Sequence, residues 1–240
     1  MNYSNVYIFL DFETTSKKAH SCQPTQLAAV AICNRKLVVK PNGIFSSLMK
    51  PIMDDEKARE AGVDPVTDEV LTLTHLTREE LENAPQPKVV VDNFANWLKQ
   101  FAKTTSGWDQ PIFCGFNTDG YDIKILNRLA KEFGYWDEEY QQNKLFHPLH
   151  SIDIMKDIYR FTENKKINSN NSISMDSIRE WLGISKEMAH DARKDVLDGA
   201  FLMIKFLRFY RHASENLIDW EDCFEEANVE IAQIMAKLSK

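Results

Sequence analysis

Apolar residues fall first in short continuous runs, which predict buried strands. Val6 to Asp11 is apolar on both faces, and Leu27 to Cys33 and Lys36 to Val39 predict two further strands. Pro41-Asn42-Gly43 predicts a turn, after which Ile44 to Met49 predicts another strand. Consecutive strands of this kind indicate an antiparallel meander.

Later in the chain, apolar residues recur at helical spacing, and strands alternate with helices. Asp54 to Pro87 is charged and threonine-rich, which predicts short helices, and Lys88 to Lys103 predicts an amphipathic helix. Further predicted strands are Ile112 to Phe116 and Ser151 to Ile154, and further predicted helices are Ile123 to Phe133, Met175 to Leu182 before Gly183, Asp191 to Phe209 and Ser214 to Leu238. Thr162 to Ser174, rich in Asn, Ser and Lys, predicts a loop. This order predicts an α/β fold in which helices flank a mixed sheet.

The length and composition suit a folded globular protein. With 240 residues, of which 43% are hydrophobic, the chain can form one large domain or one domain with an appendage. No apolar run approaches the roughly 18 residues of a membrane span, and Met1 to Leu10 lacks the features of a secretory signal. Four cysteines without a CxxC pair predict reduced thiols in a cytoplasmic protein and no zinc site.

The net charge limits the kinds of nucleic-acid contact that the protein can make. A formal charge of −7 argues against a protein that coats duplex nucleic acid, because such binding needs a basic face. An enzyme that holds a few nucleotides at a strand end stays compatible with this charge, because divalent metals can bring much of the positive charge.

Two carboxylates follow the first predicted strand. Asp11 and Glu13 alternate with Phe12, so they converge on one side if the strand continues past Asp11. Buried carboxylates repel each other, and a divalent cation offsets that cost. Oxygen ligands alone suit Mg²⁺ or Mn²⁺. The alternative is a solvated strand end with two surface acids.

A third carboxylate opens a predicted helix. Asp122 follows the strand that ends at Phe116, after the turn that contains Asn117 and Asp119. An acid at this place can take part in catalysis. Alternatively, it can cap the N-terminus of the helix and interact favourably with the helix dipole.

A histidine and an aspartate lie near the start of the last long predicted helix before residue 210. On one continuous helix, His190 and Asp195 would lie about 140° apart. They converge if His190 precedes the helix and Asp191 is its N-cap. The small residues Ala192 and Gly199 would let another element approach Asp195 closely. The alternative for both residues is a purely structural role.

Together, the three segments resemble the motifs of the DEDDh superfamily of 3′→5′ exonucleases, which includes polymerase proofreading subunits and has an RNase H-like fold. The resemblance rests on Asp-x-Glu at a strand end, Asp after an Asn-containing turn, and His-x4-Asp at a late helix. Other segments that resemble the family are Asp11 to Thr15, Gln26 to Ile32, Thr77 to Leu81 with Ala84-Pro85, Ser151 to Asp153, and Met175 to Ile184. Ser16 departs from the family, which usually has Gly there.

The resemblance implies a catalytic role for five residues and two bound Mg²⁺ or Mn²⁺ ions. Asp11 would bridge both metals, Glu13 and Asp195 would complete the site of the metal that activates water, and Asp122 would hold the second metal. His190 would be the general base.

The same resemblance suggests which residues contact the substrate. The candidate substrate-binding residues are Phe12, Thr14, Thr15, His75, Leu76 and Asn117. Phe12 and Leu76 could instead belong to the core. The expected partner is the 3′ end of a single strand, with a polymerase or another replication protein as a further candidate partner and no membrane.

The sequence thus leads to one main hypothesis and two rivals. The main hypothesis is a metal-dependent 3′→5′ exonuclease that acts on single-stranded DNA. The rivals are an RNA-trimming exonuclease of the same fold and a non-catalytic binding or scaffolding subunit. The exonuclease domain would comprise residues 1–212, and residues 213–240 would form a C-terminal helix packed on that domain. The alternative is that this helix docks a polymerase or another replication partner.

Overall fold

The computed structural model describes residues 6–102, 104, 106, 109–148, 150–165, 173–185 and 191–216. Its strands are β1 (Val6–Thr14), β2 (Pro24–Cys33), β3 (Val38–Leu48), β4 (Ile112–Gly115), β5 (Trp136–Asp137), β6 (Gln142–Asn143) and β7 (Ser151–Asp153). Its helices are α1 (Asp55–Glu60), α2 (Asp68–Thr74), α3 (Arg78–Asn83), α4 (Pro87–Lys99), α5 (Asp122–Phe133), α6 (Ile154–Lys165), α7 (Met175–Leu182) and α8 (Ala192–Asn216).

Five of these strands form one mixed sheet in the order β3-β2-β1-β4-β7, and β5 and β6 form a separate pair. The first three strands are antiparallel, as the predicted meander requires. The strand pairs β1–β4 and β4–β7 are parallel. The carboxyl ends of β1, β4 and β7 therefore lie at the same edge of the sheet. The predicted α/β fold with a mixed sheet and flanking helices is confirmed.

Strand β1 lies at the centre of the sheet and separates two packed faces. Ile8, Leu10 and Phe12 lie in the main hydrophobic core, together with side chains of α4 and α5. Phe9, whose side chain alternates with these, packs against Gly199 of α8 on the opposite face. The alternation continues along β1 and places Asp11 and Glu13 on the α8 face.

The turn predicted at Pro41-Asn42-Gly43 is wrong, because β3 continues through these residues as a single strand. Asn42 adopts a left-handed conformation with φ of 52°, and the β2–β3 register shifts between Val30 and Ile32. The segment therefore forms a bulge rather than a turn. Pro41 lies in the part of β3 between Val39 and Ile44 that has no partner on β2, so its missing N–H leaves no hydrogen bond of the sheet unmade.

Two helix ends differ from the prediction, and one further helix is present. Helix α4 ends at Lys99 rather than Lys103. Helix α6 was missed, and residues 162–165 of the predicted loop are helical. Buried Ile154 and Ile158 anchor α6, so packing overrides the polar composition of its end. Helix α8 runs past Phe209 to residue 216, because the residues that follow Phe209 in the helix include no Gly or Pro.

The chain divides into two compact units, one of residues 1–203 and one of residues 204–240. In the second unit, Tyr210 contacts the rings of Phe206 and Phe209. From residue 217 onward, the helix predicted over Ser214 to Leu238 lies outside the described residues. Among the helices that the structure describes, none is long and apolar enough to cross a membrane.

The contact between Gly199 and Phe9 makes a prediction about stability. A Cβ atom at Gly199 would lie 2.3 Å from the Phe9 ring, which is far below van der Waals contact. We expect Gly199→Ala to destabilise the protein by about 1–3 kcal/mol, although alanine favours a helix interior by about 1 kcal/mol over glycine. Thermal unfolding measures this change. The double variant Phe9→Leu/Gly199→Ala should lose less than the sum of the single variants, and a Gly199→Ala protein that melts at or above the wild-type temperature would refute the close contact.

Candidate active site

The carboxyl end of β1 carries two acidic side chains on one face. Because β1 continues to Thr14, Asp11 and Glu13 keep the alternation of a strand and both face α8. In the β1–β2 pair, Glu13 lies opposite Gln26. Both acids are half-buried, so the alternative of a fully solvated strand end does not describe them.

The N-terminus of α8 is fixed beside this strand end. The side-chain Oε1 of Gln26 accepts a hydrogen bond from the backbone N–H of Ala192, at 3.2 Å. The Asp191 carboxylate accepts a hydrogen bond from the Arg193 N–H at 2.8 Å, as expected of an N-cap. Ala192 is completely buried, so α8 approaches the sheet closely at this point. Asp195, in the first turn of α8, thereby reaches the β1 face.

Three carboxylates converge where α8 meets β1. Asp11, Glu13 and Asp195 each offer an oxygen atom, and these atoms lie within 4.8 Å of one another. We call these residues the carboxylate trio. Within the described part of the chain, no other group of three or more His, Cys, Asp or Glu side chains approaches this closely. A donor set of carboxylate oxygens without sulfur fits Mg²⁺ or Mn²⁺.

Asp122 lies beside the trio and is joined to β1 directly. Its Oδ1 atom accepts a hydrogen bond from the backbone N–H of Phe12 at 3.1 Å. Phe12 separates Asp11 from Glu13 in sequence, so this bond brings the fourth carboxylate to the same strand end. The N-cap of α5 is Tyr121, which makes no side-chain capping bond. The Asp122 carboxylate thus connects α5 to β1.

The turn before α5 is held by a buried acid from the neighbouring strand. The Asp153 carboxylate at the end of β7 accepts hydrogen bonds from the backbone N–H groups of Asn117, at 2.9 Å, and Asp119, at 3.3 Å. Asn117 has a φ of 56°, in the left-handed region that asparagine tolerates. These contacts set the path of the chain from β4 to Asp122.

Burial and mutual repulsion change the acidity of the clustered carboxylates. Burial raises the pKa of Asp11 well above its ordinary value, and the charges of Asp122, Glu13 and Asp195 raise it further. Burial and the charge of Asp195 raise the pKa of Glu13 to about 9. Burial also raises the pKa of Asp122 to about 7, although the Phe12 N–H opposes this shift. Without a cation the cluster therefore retains protons at neutral pH, and a divalent ion would displace them.

A buried arginine next to the trio was not identified from the sequence. The side chain of Arg179 on α7 is 1% exposed, and its Nη2 atom lies 2.5 Å from Oδ1 of Asp195. The spacing of Asp176 and Arg179 on one helix suggests only an ordinary surface ion pair. Because Asp195 and Arg179 come from different helices, their contact depends on tertiary packing.

The predicted substrate-binding residues fall into two groups. The Phe12 ring is buried in the core, which favours the alternative that Phe12 is a core residue over a contact with a base. The Thr15 hydroxyl is also occupied, since it donates to the carbonyl of Asp64 and accepts from the Gln23 N–H. The backbone N–H of Thr15 is occupied as well, since it donates to the carbonyl of Gln23 at 2.9 Å.

The remaining candidates lie at the surface or near it. The hydroxyl of Thr14 contacts that of Tyr121 at 2.5 Å, a pairing that the sequence did not suggest. His75 is exposed and Leu76 half-buried, after the end of α2. Asn117 is exposed in the turn before α5. His190, the predicted general base, lies outside the described residues and directly precedes the cap residue of α8.

Ser16, at the place where the DEDDh family usually has glycine, also has a defined role. Its hydroxyl donates to Oδ2 of Asp64 at 2.5 Å, and Ser21 donates to the same oxygen at 2.8 Å. The two serines thus tie the loop after β1 to Asp64. The Ser16 carbonyl accepts hydrogen bonds from Thr14 and Tyr121, so the loop is also tied to the strand end.

Comparison with known proteins relates the chain to a family of nucleases. The model of the RNase T family, whose description is exonuclease, matches residues 8–200. No curated protein matches the sequence.

Solved nuclease structures share the fold. Cell-death related nuclease 4 is 18% identical over 85% of this chain and 64% of its own length, with a TM-score of 0.64. E. coli exonuclease I in complex with a dT13 oligonucleotide is 18% identical over 83% of this chain and 40% of its own, with a TM-score of 0.63. A 3′-exonuclease solved for its recognition of the histone mRNA stem-loop is 14% identical over 87% of this chain and 84% of its own, with a TM-score of 0.62. The chain spans less than two thirds of the first two proteins, and at these identities the likeness is one of fold.

The raised pKa values predict how the metal-free protein responds to pH. Since the pKa of Glu13 is about 9 in the folded protein and about 4.3 in an unfolded chain, the folded state binds the proton more tightly. The contribution of Glu13 to the free energy of unfolding is fully present below pH about 4.3, and it is lost as the pH rises towards 9. In a chelator, Glu13→Gln should therefore melt near the wild-type temperature at pH 5 and increasingly above it towards pH 9.

The control for this series is Glu132→Gln on the exposed surface of α5. Its melting temperature should follow that of the wild type at each pH. Mn²⁺ should raise the melting temperature of the wild type more at pH 9 than at pH 5, because the ion replaces protons. A constant difference between Glu13→Gln and the wild type across this range would contradict the assignment of a raised pKa to Glu13.

Proposed function

Because the chain belongs to the RNase T exonuclease family, within the DEDDh superfamily of 3′→5′ exonucleases, we propose that it releases mononucleotides from the 3′ ends of single-stranded DNA. The observation that carries this proposal is the carboxylate trio, with Asp122 beside it at the same strand end. Carboxylates that repel each other in this way are costly to keep together unless they bind a cation. This argues against the rival hypothesis of a non-catalytic scaffold.

RNA stays the second candidate substrate, for a specific reason. This chain covers 84% of the 3′-exonuclease that recognises the histone mRNA stem-loop, whereas it covers 40% of exonuclease I with its DNA oligonucleotide. The carboxylates act on the phosphodiester, which DNA and RNA share. Sugar preference would depend on contacts to the 2′ position.

In this proposal, each carboxylate has one task. Asp11, on the strand at the centre of the sheet, would be shared by two Mg²⁺ or Mn²⁺ ions, with Glu13 and Asp195 on one side and Asp122 on the other. The bound ions would lower the pKa of the attacking water and neutralise charge at the phosphate. The Phe12 N–H would hold Asp122 in place by the hydrogen bond that it donates to Oδ1.

His190 is proposed as the general base that takes the proton from the attacking water. A histidine titrates near working pH and can accept this proton without holding a metal. The cap of α8 by Asp191 and the Gln26–Ala192 hydrogen bond fix the residues that directly follow His190. The chain is therefore anchored beside the trio at the position after the proposed base.

The proposed substrate contacts come from the end of β1, the residues after α2 and the turn before α5. Thr14, with Tyr121 as its hydroxyl partner, would contact the terminal nucleotide, together with Thr15. The side chains of His75, Leu76 and Asn117 would contact the last bases or their sugars.

We also propose a domain organisation, a partner and a location for the protein. Residues 1–212 would be the exonuclease domain, and residues 213–240 a C-terminal helix packed on it. A polymerase or another replication protein stays a candidate partner, and the cysteine pattern favours a cytoplasmic location.

The first test measures products from labelled single-stranded DNA and RNA, with Mg²⁺, with Mn²⁺ and with a chelator. We expect mononucleotides from free 3′ ends, no product in chelator, inhibition by a 3′-phosphate and no effect of a 5′ block. Asp11→Asn should lose at least ~10³-fold in rate, because one charge serves both metals.

The matched control is Asp119→Asn, whose carboxylate pairs with Lys156 at the surface. It should keep nearly the full rate. Efficient cutting of a circular single strand would contradict the proposed polarity, and a wild-type rate for Asp11→Asn would contradict the proposed site. Faster turnover of RNA than of DNA would favour the second candidate substrate.

The second test concerns His190. His190→Ala should reduce the rate by roughly 10²–10⁴-fold while Mn²⁺ affinity stays close to that of the wild type, because the residue moves a proton and holds no metal. The pH–rate profile should lose the limb that belongs to the base. His212→Ala, in the last turns of α8, is the control. A large loss of Mn²⁺ affinity in His190→Ala would instead make the residue a metal ligand.

A further inference from the structure

The buried guanidinium of Arg179 lies among three carboxylates. Its Nη2 atom is 2.5 Å from Oδ1 of Asp195, its Nε atom is 3.0 Å from Oδ2 of Asp198, and its Nη1 atom is 3.1 Å from Oδ1 of Asp176. The arginine side chain is 1% exposed, and the first two of these acids are 16% and 12% exposed. A charge in such a place is stable only if it is paired, and the planar fork of arginine can pair with several acids at once.

Only one of these three acids belongs to the carboxylate trio. Asp195 faces Asp11 and Glu13, whereas Asp176 and Asp198 do not take part in the trio. A carboxylate has two oxygen atoms with about four acceptor positions. The contact of Arg179 with Oδ1 therefore limits how the Asp195 carboxylate can rotate but does not exhaust its capacity to bind a cation.

The origin of the contact is the packing of α7 against α8. Arg179 lies on α7, which begins at Met175, and the terminal methyl group of Met175 lies 3.4 Å from the position that a Cβ atom at Gly199 of α8 would occupy. The two helices are thus in contact one turn beyond Asp195. A guanidinium stays protonated at any physiological pH, so its charge opposes the repulsion among the acids whether or not a metal is bound.

We propose that Arg179 is a positioning residue of the metal site, which orients the Asp195 carboxylate towards Asp11 and Glu13 before a cation binds. The inference rests on the proposed function, in which Asp195 is a metal ligand. Groups that hold a metal ligand in place typically change metal affinity by about 10–100-fold when they are removed. Arg179 would do so through Asp195, without touching the substrate.

The test measures Mn²⁺ binding to the full chain by electron paramagnetic resonance and calorimetry. Arg179→Met keeps much of the apolar stem but lacks the charge and the donors, and we expect it to weaken Mn²⁺ binding by ~10–100-fold. Asp198→Asn is the matched control, because it removes an acid that pairs with the same guanidinium but lies outside the trio. It should lower the melting temperature and leave Mn²⁺ affinity close to that of the wild type.

The outcomes separate three accounts. Weak Mn²⁺ binding by Arg179→Met and normal binding by Asp198→Asn support the positioning role. A lower melting temperature with unchanged Mn²⁺ affinity in Arg179→Met would overturn it and leave a purely structural residue. Asp195→Asn tests the proposed function on its own, since unchanged Mn²⁺ binding by that variant would remove Asp195 from the metal site.

Arg179→Lys covers the case in which Arg179→Met does not fold. Lysine keeps the charge but cannot pair with several carboxylates through a planar fork, so Mn²⁺ affinity should again fall. A folded Arg179→Lys protein with wild-type Mn²⁺ affinity would overturn the proposal, because orientation by the fork would then have no effect on the metal.

Discussion

The repulsion between carboxylates at the end of β1 is the interaction on which the arrangement of the site depends. Asp11, Glu13 and Asp195 place oxygen atoms within 4.8 Å of one another, and Asp122 joins them through the Phe12 N–H. Burial strengthens this repulsion and raises the pKa values of Asp11, Glu13 and Asp122. A divalent cation is the species that relieves it most directly.

The fold keeps these acids together through contacts that lie outside the trio. Gly199 lets α8 approach Phe9 so closely that a Cβ atom there would overlap the ring. Gln26 accepts the N–H of Ala192 and fixes the start of α8 beside Glu13. Arg179 brings a permanent positive charge to Asp195. Each contact joins two different elements of the fold, so the site is assembled by the same packing that stabilises the sheet and its helices.

This division of tasks explains how one fold can serve nucleases with different substrates. The structures that resemble this chain include one solved with a DNA oligonucleotide and one that recognises an mRNA stem-loop. In the proposed function, the carboxylates would act on a phosphodiester that both polymers contain. The surrounding surface, with Thr14, Tyr121 and the exposed His75 as its proposed members, would then have to distinguish between them. Binding preference would thus depend on residues outside the acidic cluster.

The sequence by itself determined the α/β class, the antiparallel meander and the convergence of Asp11 and Glu13, because strand alternation is a local property. The match of α7 to Met175–Leu182 before Gly183 has the same basis, since both ends carry local signals. Only the tertiary structure decided that Pro41 to Gly43 forms a bulge, because an edge strand tolerates residues that otherwise make a turn. It also decided that Phe12 belongs to the core and that Arg179 is buried against Asp195. Burial and pairing depend on which elements meet, and residues far apart in sequence carry no local signal of that meeting.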